Sequence, residues 1–335
     1  VNSSLIYSLN RSEDNIGEHN GINAQLSSKN GSNARHVYWQ MAANYNKRKQ
    51  GLDNNVNNDG ENYTVDGLIG VINRFNFNPF IRFYDENITG RGLVGNSSTT
   101  PSWGPGIRWL ASPHLIIDLS YNFVADETIS DNYVAATVQW EPSARTSLTA
   151  GYSQRFFGKA YNLNFKHKTK RLSNTITYNE TLSIFDRNNY EEINPDAIEL
   201  VESNQYSLNK RFSWSSRLQL SRTSFSIGAS ANERENLATN IIDDTLNANL
   251  TVTRTTSAKG SLSLSARYNY SIFDKDNPAG SRQEDRYRTL STAYQRNLAS
   301  SLSSNFTLQY VNRDSTNDRY SYDEVRAIIN IRKEF

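Results

Sequence analysis

A two-residue period in polarity, repeated along almost the whole chain, constrains this sequence more than any motif. Its clearest instance is the final stretch, where Val325, Ala327, Ile329 and Ile331 alternate with Arg326, Asn330, Arg332 and Glu334 before Phe335. Only Ile328 interrupts it. Successive side chains of a β-strand point to opposite faces, so this run reads as a strand with one apolar and one polar side.

The same alternation recurs upstream. Leu262, Leu264, Ala266, Tyr268 and Tyr270 alternate with Ser263, Ser265, Arg267 and Asn269; Leu246, Ala248, Leu250 and Val252 alternate with Asn247, Asn249, Thr251 and Thr253. Similar runs centre on Leu119, Val138, Ala150, Leu163 and Phe306. Eight clear strands and ten less regular ones, at 2–10, 20–29, 35–47, 62–73, 79–85, 102–110, 172–182, 203–212, 217–229 and 284–296, predict 18 strands, with 16 the next count.

Composition decides where such strands can live. The 335 residues are 36% hydrophobic and 11% aromatic, with 19 Tyr and no Cys, and the mean hydropathy is −0.69. No apolar run approaches the roughly 20 residues of a spanning helix. A transmembrane barrel needs only every second residue to be apolar. The aromatic and β-branched content argues against disorder. The balance of 36 basic and 34 acidic residues makes no case for nucleic acid as a partner. The start at Val1 fits a mature chain after removal of a leader.

Connection lengths test the barrel reading independently. Counting back from Phe335, links at 297–301, 256–259, 213–216, 169–171, 142–145, 111–114, 74–78 and 30–34 are short. Those between them are mostly longer and rich in Asp, Asn and Gly, with 157–159 the exception. Outer-membrane barrels have short periplasmic turns and longer extracellular loops, with an even strand number. The chain is therefore expected to be all-β, a single domain over 1–335, and a transmembrane antiparallel up-and-down barrel in the bacterial outer membrane. Outer-membrane lipid and the barrel assembly machinery are the implied partners, with Phe335 as the assembly signal. Tyr121, Phe123, Tyr152, Tyr268, Tyr270 and Tyr310 are expected near the outer ends of strands, and Trp109, Trp140, Phe212 and Phe335 near the inner ends.

Alternation assigns Arg108, Asp118, Gln139, Arg155, Asn164, Lys166, Lys168, Arg267, Asn269 and Arg326 to the lumen, with Asn162, Asn305, Gln309 and Asn330. As wall residues they would solvate a pore and pair with one another. As functional residues they would offer many weak, exchangeable hydrogen bonds to a hydrophilic polymer. The four His residues share no metal-ligand spacing, and no catalytic motif occurs, so no enzyme, cofactor or metal is expected. Asn55-Val56-Asn57-Asn58-Asp59-Gly60, with Asp66, has a calcium-loop outline but lacks the first Asp and last Glu, and reads as a solvated loop.

One block is more particular. Trp103-Gly104-Pro105-Gly106-Ile107-Arg108-Trp109 is followed by Pro142-Ser143-Ala144-Arg145-Thr146-Ser147-Leu148, then Arg155-Phe156-Phe157-Gly158 and the basic run His167-Lys168-Thr169-Lys170-Arg171. This block, roughly 102–171, resembles the outer-membrane barrel family found beside exosortase and exopolysaccharide gene clusters. The resemblance implies an outer-membrane pore for an exopolysaccharide chain, working with a periplasmic polysaccharide-export protein. A general or sugar-selective diffusion porin is the alternative, with 183–202 as its candidate constriction loop.

Overall fold

The computed structural model describes residues 2–14, 17–30, 35–52, 57–89, 97–99, 101–125, 131–155, 157–183, 188–194, 197–202, 207–237, 239–276, 282–299, 301–316 and 318–333. Its strands, in chain order, are β1 (Asn2–Asp14), β2 (Gly17–Lys29), β3 (Val37–Leu52), β4 (Asn57–Val71), β5 (Phe77–Thr89), β6 (Ser97–Thr99) and β7 (Ser102–Ser112). There follow β8 (Leu115–Val124), β9 (Tyr133–Ser143), β10 (Thr146–Arg155), β11 (Gly158–Lys168), β12 (Leu172–Ser183), β13 (Asn188–Asn194) and β14 (Ala197–Glu202). The last are β15 (Ser207–Gln219), β16 (Thr223–Asn236), β17 (Ile242–Ser257), β18 (Gly260–Phe273), β19 (Gln283–Ala299), β20 (Leu302–Ser315) and β21 (Tyr322–Lys333).

Nineteen strands form one sheet, and every pairing in it is antiparallel. The three-residue β6 lies on β5 just ahead of β7, and β13 pairs only with β14. The wall is thus an up-and-down meander of 18 strands, as the period and the links predict. Among the described residues β1 and β21 are its two edges. The segment 183–202, the candidate constriction loop, contains the β13–β14 hairpin, which forms a sheet of its own.

The meander curls. Arg155 on β10 donates to Glu86 on β5, four ladder steps away. On a flat sheet those steps would span about 19 Å, beyond the reach of the two side chains. The face carrying Glu86 and Arg155 is therefore concave, and the registers assign every other wall residue to one face or the other.

Strands run longer than the apolar alternation indicates, and the connections are correspondingly shorter. The expected turn at 213–216 does not exist: β15 continues to Gln219, and the chain turns at 220–222, where Leu220 N–H bonds the Thr223 carbonyl at 2.8 Å. Ser213 and Ser215 are the polar face of a strand whose other face carries Trp214. Phe212 consequently lies in mid-strand rather than near an inner end. The expected link 230–244 contracts to 237–241 because cross-strand charges extend the ladder beyond the apolar zone. Lys210 bonds Glu233 at 2.8 Å, Arg234 bonds Asp243 at 2.5 Å and Lys275 pairs with Asp244 at 2.7 Å. Residues 57–60 of the calcium-like segment belong to β4 rather than to a loop, and Asp66 is held by Arg82.

Three short turns share one device. In Ser112-Pro113-His114, Ser143-Ala144-Arg145 and Ser257-Ala258-Lys259 the serine Oγ accepts the backbone N–H two residues on, at 3.2, 3.2 and 3.3 Å. Such bonds satisfy the turn backbone locally and fix its register. At the opposite end Arg155 of β10 pairs with Gly158 of β11, so Gly158 and Lys159 belong to a strand rather than to the expected link at 157–159, and Gly158 has φ 107. A Cβ there meets nothing within 4 Å, so the glycine serves conformation rather than space. Gly158→Ala is expected to cost about 1–2 kcal/mol from backbone strain, read as a lowered urea midpoint of the folded protein; an unshifted midpoint would mean the hairpin relaxes freely.

Candidate functional site: the concave face and its charges

The convex face comes first because it sets the environment. Leu246, Leu250, Leu264, Leu290 and Leu308 lie on adjacent strands β17–β20 and are 44–57% exposed. With Val252, Ala266 and Tyr310, the last four of these form one continuous apolar surface. Water-facing proteins rarely expose apolar patches beyond a few hundred Å². Aromatic residues bracket the apolar zone on β5–β11. Phe77 stacks on Trp109 toward the short turns (5.8 Å between centroids), and Trp103 meets Phe123 (5.5 Å) and Tyr152 meets Tyr161 (5.3 Å) toward the loops. An apolar band between aromatic girdles, outside a polar interior, is the surface of a β-barrel in the bacterial outer membrane.

The concave face has two unlike halves. Along β3–β10 it is packed. Arg108 grips Asp118 through two bonds of 2.7 Å, and Arg82 grips Asp66 at 3.0 and 2.9 Å. Arg155 holds Glu86 through Nε at 3.0 Å and through Nη2. The three pairs stand at successive heights, from near the short turns to near the loop end. Paired arginine–carboxylate forks are the strong form of ionic hydrogen bond. Glu86 has no exposed surface and also accepts from the Tyr84 hydroxyl at 3.0 Å. The Arg108 guanidinium lies 4.6 Å above the Tyr38 ring, whose hydroxyl donates to the Asn78 carbonyl.

Along β11–β18 the concave face is open and hydroxyl- and amide-rich. A cavity of about 650 Å³ separates this wall from the one opposite. Asn46 and Asn62 line it from β3 and β4, and Asn179, Asn209, Asn232 and Asn247 from β12–β17. Six carboxamides, each with donors and acceptors, converge on one wet space.

The sequence-predicted lumen residues all fall on this face by register. They do not form one site. Arg108, Asp118 and Arg155 are tied into wall pairs, and Arg326 is paired with Glu324 on its own strand. Gln139 and Asn164 both oppose Thr149, and Asn269 donates to Asn247 at 2.6 Å. Lys166, Lys168 and Arg267 form no ion pair with a described residue. Phe335 lies outside the described residues. Sequence reading missed Glu86, placed in a loop, and the pairs Arg234–Asp243 and Arg313–Asp285. It also missed Arg211 and Arg217. The continued alternation Arg82, Tyr84, Glu86 was the available signal.

Among the described residues no three His, Asp or Glu side chains are grouped as a metal would need. No family model matches the chain, and neither does any curated protein. Solved structures similar to it are outer-membrane proteins. OmpT of Vibrio cholerae has 9% identity and a TM-score of 0.40, covering 90% of this chain and 98% of that one. OccK8 (OprE) of Pseudomonas aeruginosa has 12% identity and a TM-score of 0.35, covering 98% and 96%. OmpF of Salmonella typhi, in complex with daunomycin, has 10% identity and a TM-score of 0.33, covering 97% and 100%. Likeness at this level supports no inference about function.

Proposed function

We propose that this chain is an outer-membrane conduit for the export of an exopolysaccharide, acting with a periplasmic polysaccharide-export protein. The observation that carries the conduit is the amide- and hydroxyl-lined cavity of about 650 Å³ between opposite walls. Such a lining offers a sugar chain many weak hydrogen bonds and no single tight one, which is what release at the far side requires. The resemblance of 102–171 to barrels of exopolysaccharide clusters supplies the cargo. The chain's own contribution is passive, a hydrated path through lipid.

Conductance in planar bilayers tests this, with and without polysaccharide and a periplasmic export protein. Reversible block of a large conductance by the polymer is the expected result. Free passage of small sugars with indifference to the polymer would favour a diffusion porin instead, and absence of any conductance would sink both.

A further inference from the structure

The conduit's charge is distributed in a way that selects its cargo. Among the described residues between β4 and β21, six carboxylates of the concave face are ion-paired, namely Asp66, Glu86, Asp118, Asp243, Asp285 and Glu324, while Glu141 at the short-turn end of β9 is exposed. Each of the six is held by its own arginine. Lys166, Lys168, Arg211, Arg217 and Arg267 share that face, are exposed, and form no ion pair with a described residue. All five lie on β11–β18, the open half, and Arg211 lines the polar cavity.

Their placement follows the ladder. Lys168 and Arg217 both oppose Ser173, two strands apart or about 10 Å. Arg211 and Arg217 are separated by about 20 Å along β15. The basic groups are thus spread over the height of the wall, among serines, threonines and asparagines. They do not converge on a point as a small-anion site would.

The short-turn rim adds a second, independent observation. Its turns carry Arg35, Arg74, Arg145, Lys170, Arg171, Arg222 and Lys259, and segments 30–36, 72–76, 112–114, 143–145, 169–171, 220–222, 257–259 and 300–301 contain no Asp or Glu. Those seven basic side chains are exposed and form no ion pair with a described residue. The loop-end segment 126–131, by contrast, carries Asp126, Glu127 and Asp131. Short turns face the periplasm in barrels of this kind, so the positive rim is the entrance for an exported chain.

We infer that the exported polymer is an acidic polysaccharide, a polyanion drawn in by the basic rim and passed along the unpaired basic residues of β11–β18. Charges of one sign focused at a mouth raise the local concentration of the opposite ion. Dispersed single charges, screened by water, give contacts weak enough to exchange. This inference rests on the conduit reading and specifies its cargo.

The test is ion selectivity and polymer block in planar bilayers. The intact protein in a potassium chloride gradient is expected to give an anion-selective reversal potential. Polygalacturonate added on the turn side is expected to block at about one-tenth the concentration of a dextran of equal length, the effect of two or three screened contacts. The triple variant R211S/R217S/R267S should lose the selectivity. The variant R145S/K170S/R171S should lose the preference for turn-side polygalacturonate, because screened charge acts only within about 10 Å. A conducting channel that prefers cations, or that dextran blocks equally well, would overturn the polyanion while leaving the conduit. Rim variants that change only binding to phosphatidylglycerol vesicles would assign the rim to lipid and overturn its role as an entrance. No conductance would remove both readings.

Discussion

Replacing Glu86 by alanine is expected to destabilise the folded protein by about 3–5 kcal/mol, the largest loss available from a single charged residue on the concave face. The carboxylate is fully buried, and its removal takes two acceptors from the Arg155 guanidinium, leaving the Glu180 carbonyl at 3.5 Å, and one from the Tyr84 hydroxyl. The positive charge left behind is itself shielded, its side chain 19% exposed, and stands over the ring of Phe157 at 4.8 Å, with no second ion pair to a described residue. Arg155→Ala should cost a similar amount by stranding Glu86. The double variant E86L/R155L is expected to recover much of the loss, since no unpaired charge remains. Urea midpoints in detergent, compared around this cycle, read the coupling. Single variants that each cost less than about 1 kcal/mol would mean that the pair is solvated and does not clasp β5 to β10.

That clasp marks where sequence reading stops. The period of two assigns a side chain to a face, and it did so correctly for Arg155 and Arg108 without any knowledge of their partners. Partner choice depends on curvature, and curvature brings β10 over β5 across strands that are not neighbours in any pattern along the chain. The ends of strands were illegible for a different reason. Apolar alternation stops at the edge of the lipid zone, whereas the ladder continues through Lys210–Glu233, Arg234–Asp243 and Lys275–Asp244, where both faces are polar. Segment 230–244 therefore read as a loop, and Ser213-Trp214-Ser215-Ser216 read as a turn because serine is common in both turns and water-facing strand positions. Strand number survived these errors because misplaced ends shorten or lengthen strands without adding any. The cargo-selecting charges were half visible: Lys166, Lys168 and Arg267 stood out by alternation, but only the pairing of six other cations with carboxylates distinguishes them as the uncompensated ones.

Gly104→Val is expected to abolish the folded barrel, because the obstruction at that position is backbone. A Cβ on Gly104 would lie 1.8 Å from the Tyr121 carbonyl oxygen, 2.7 Å from its carbon and 2.8 Å from the Asn122 Cα. Contacts below 3.0 Å of this kind cannot be relieved by turning a side chain, so β7 and β8 must separate. The register is unbroken here, with Trp103 opposite Phe123 and Gly106 opposite Ser120, so Gly104 stands opposite Asn122. Separation would cost the neighbouring rows that hold Arg108 against Asp118 and the Trp103–Phe123 contact. Gly106 is bound by the same logic, since its Cβ would meet the Phe80 ring at 2.3 Å and the Leu119 carbonyl oxygen at 2.8 Å. Gly67 supplies the control: its Cβ would find only the Gln40 carbonyl oxygen at 3.8 Å, an ordinary contact, and Gly67→Ala should shift stability by no more than about 0.5 kcal/mol. Gel mobility of unheated samples after refolding into detergent reads the outcome, folded barrels migrating apart from unfolded chain. A Gly104→Val protein that still gave the folded band, with a urea midpoint near that of the parent, would show that β7 and β8 do not approach as closely as Tyr121 and Gly104 require.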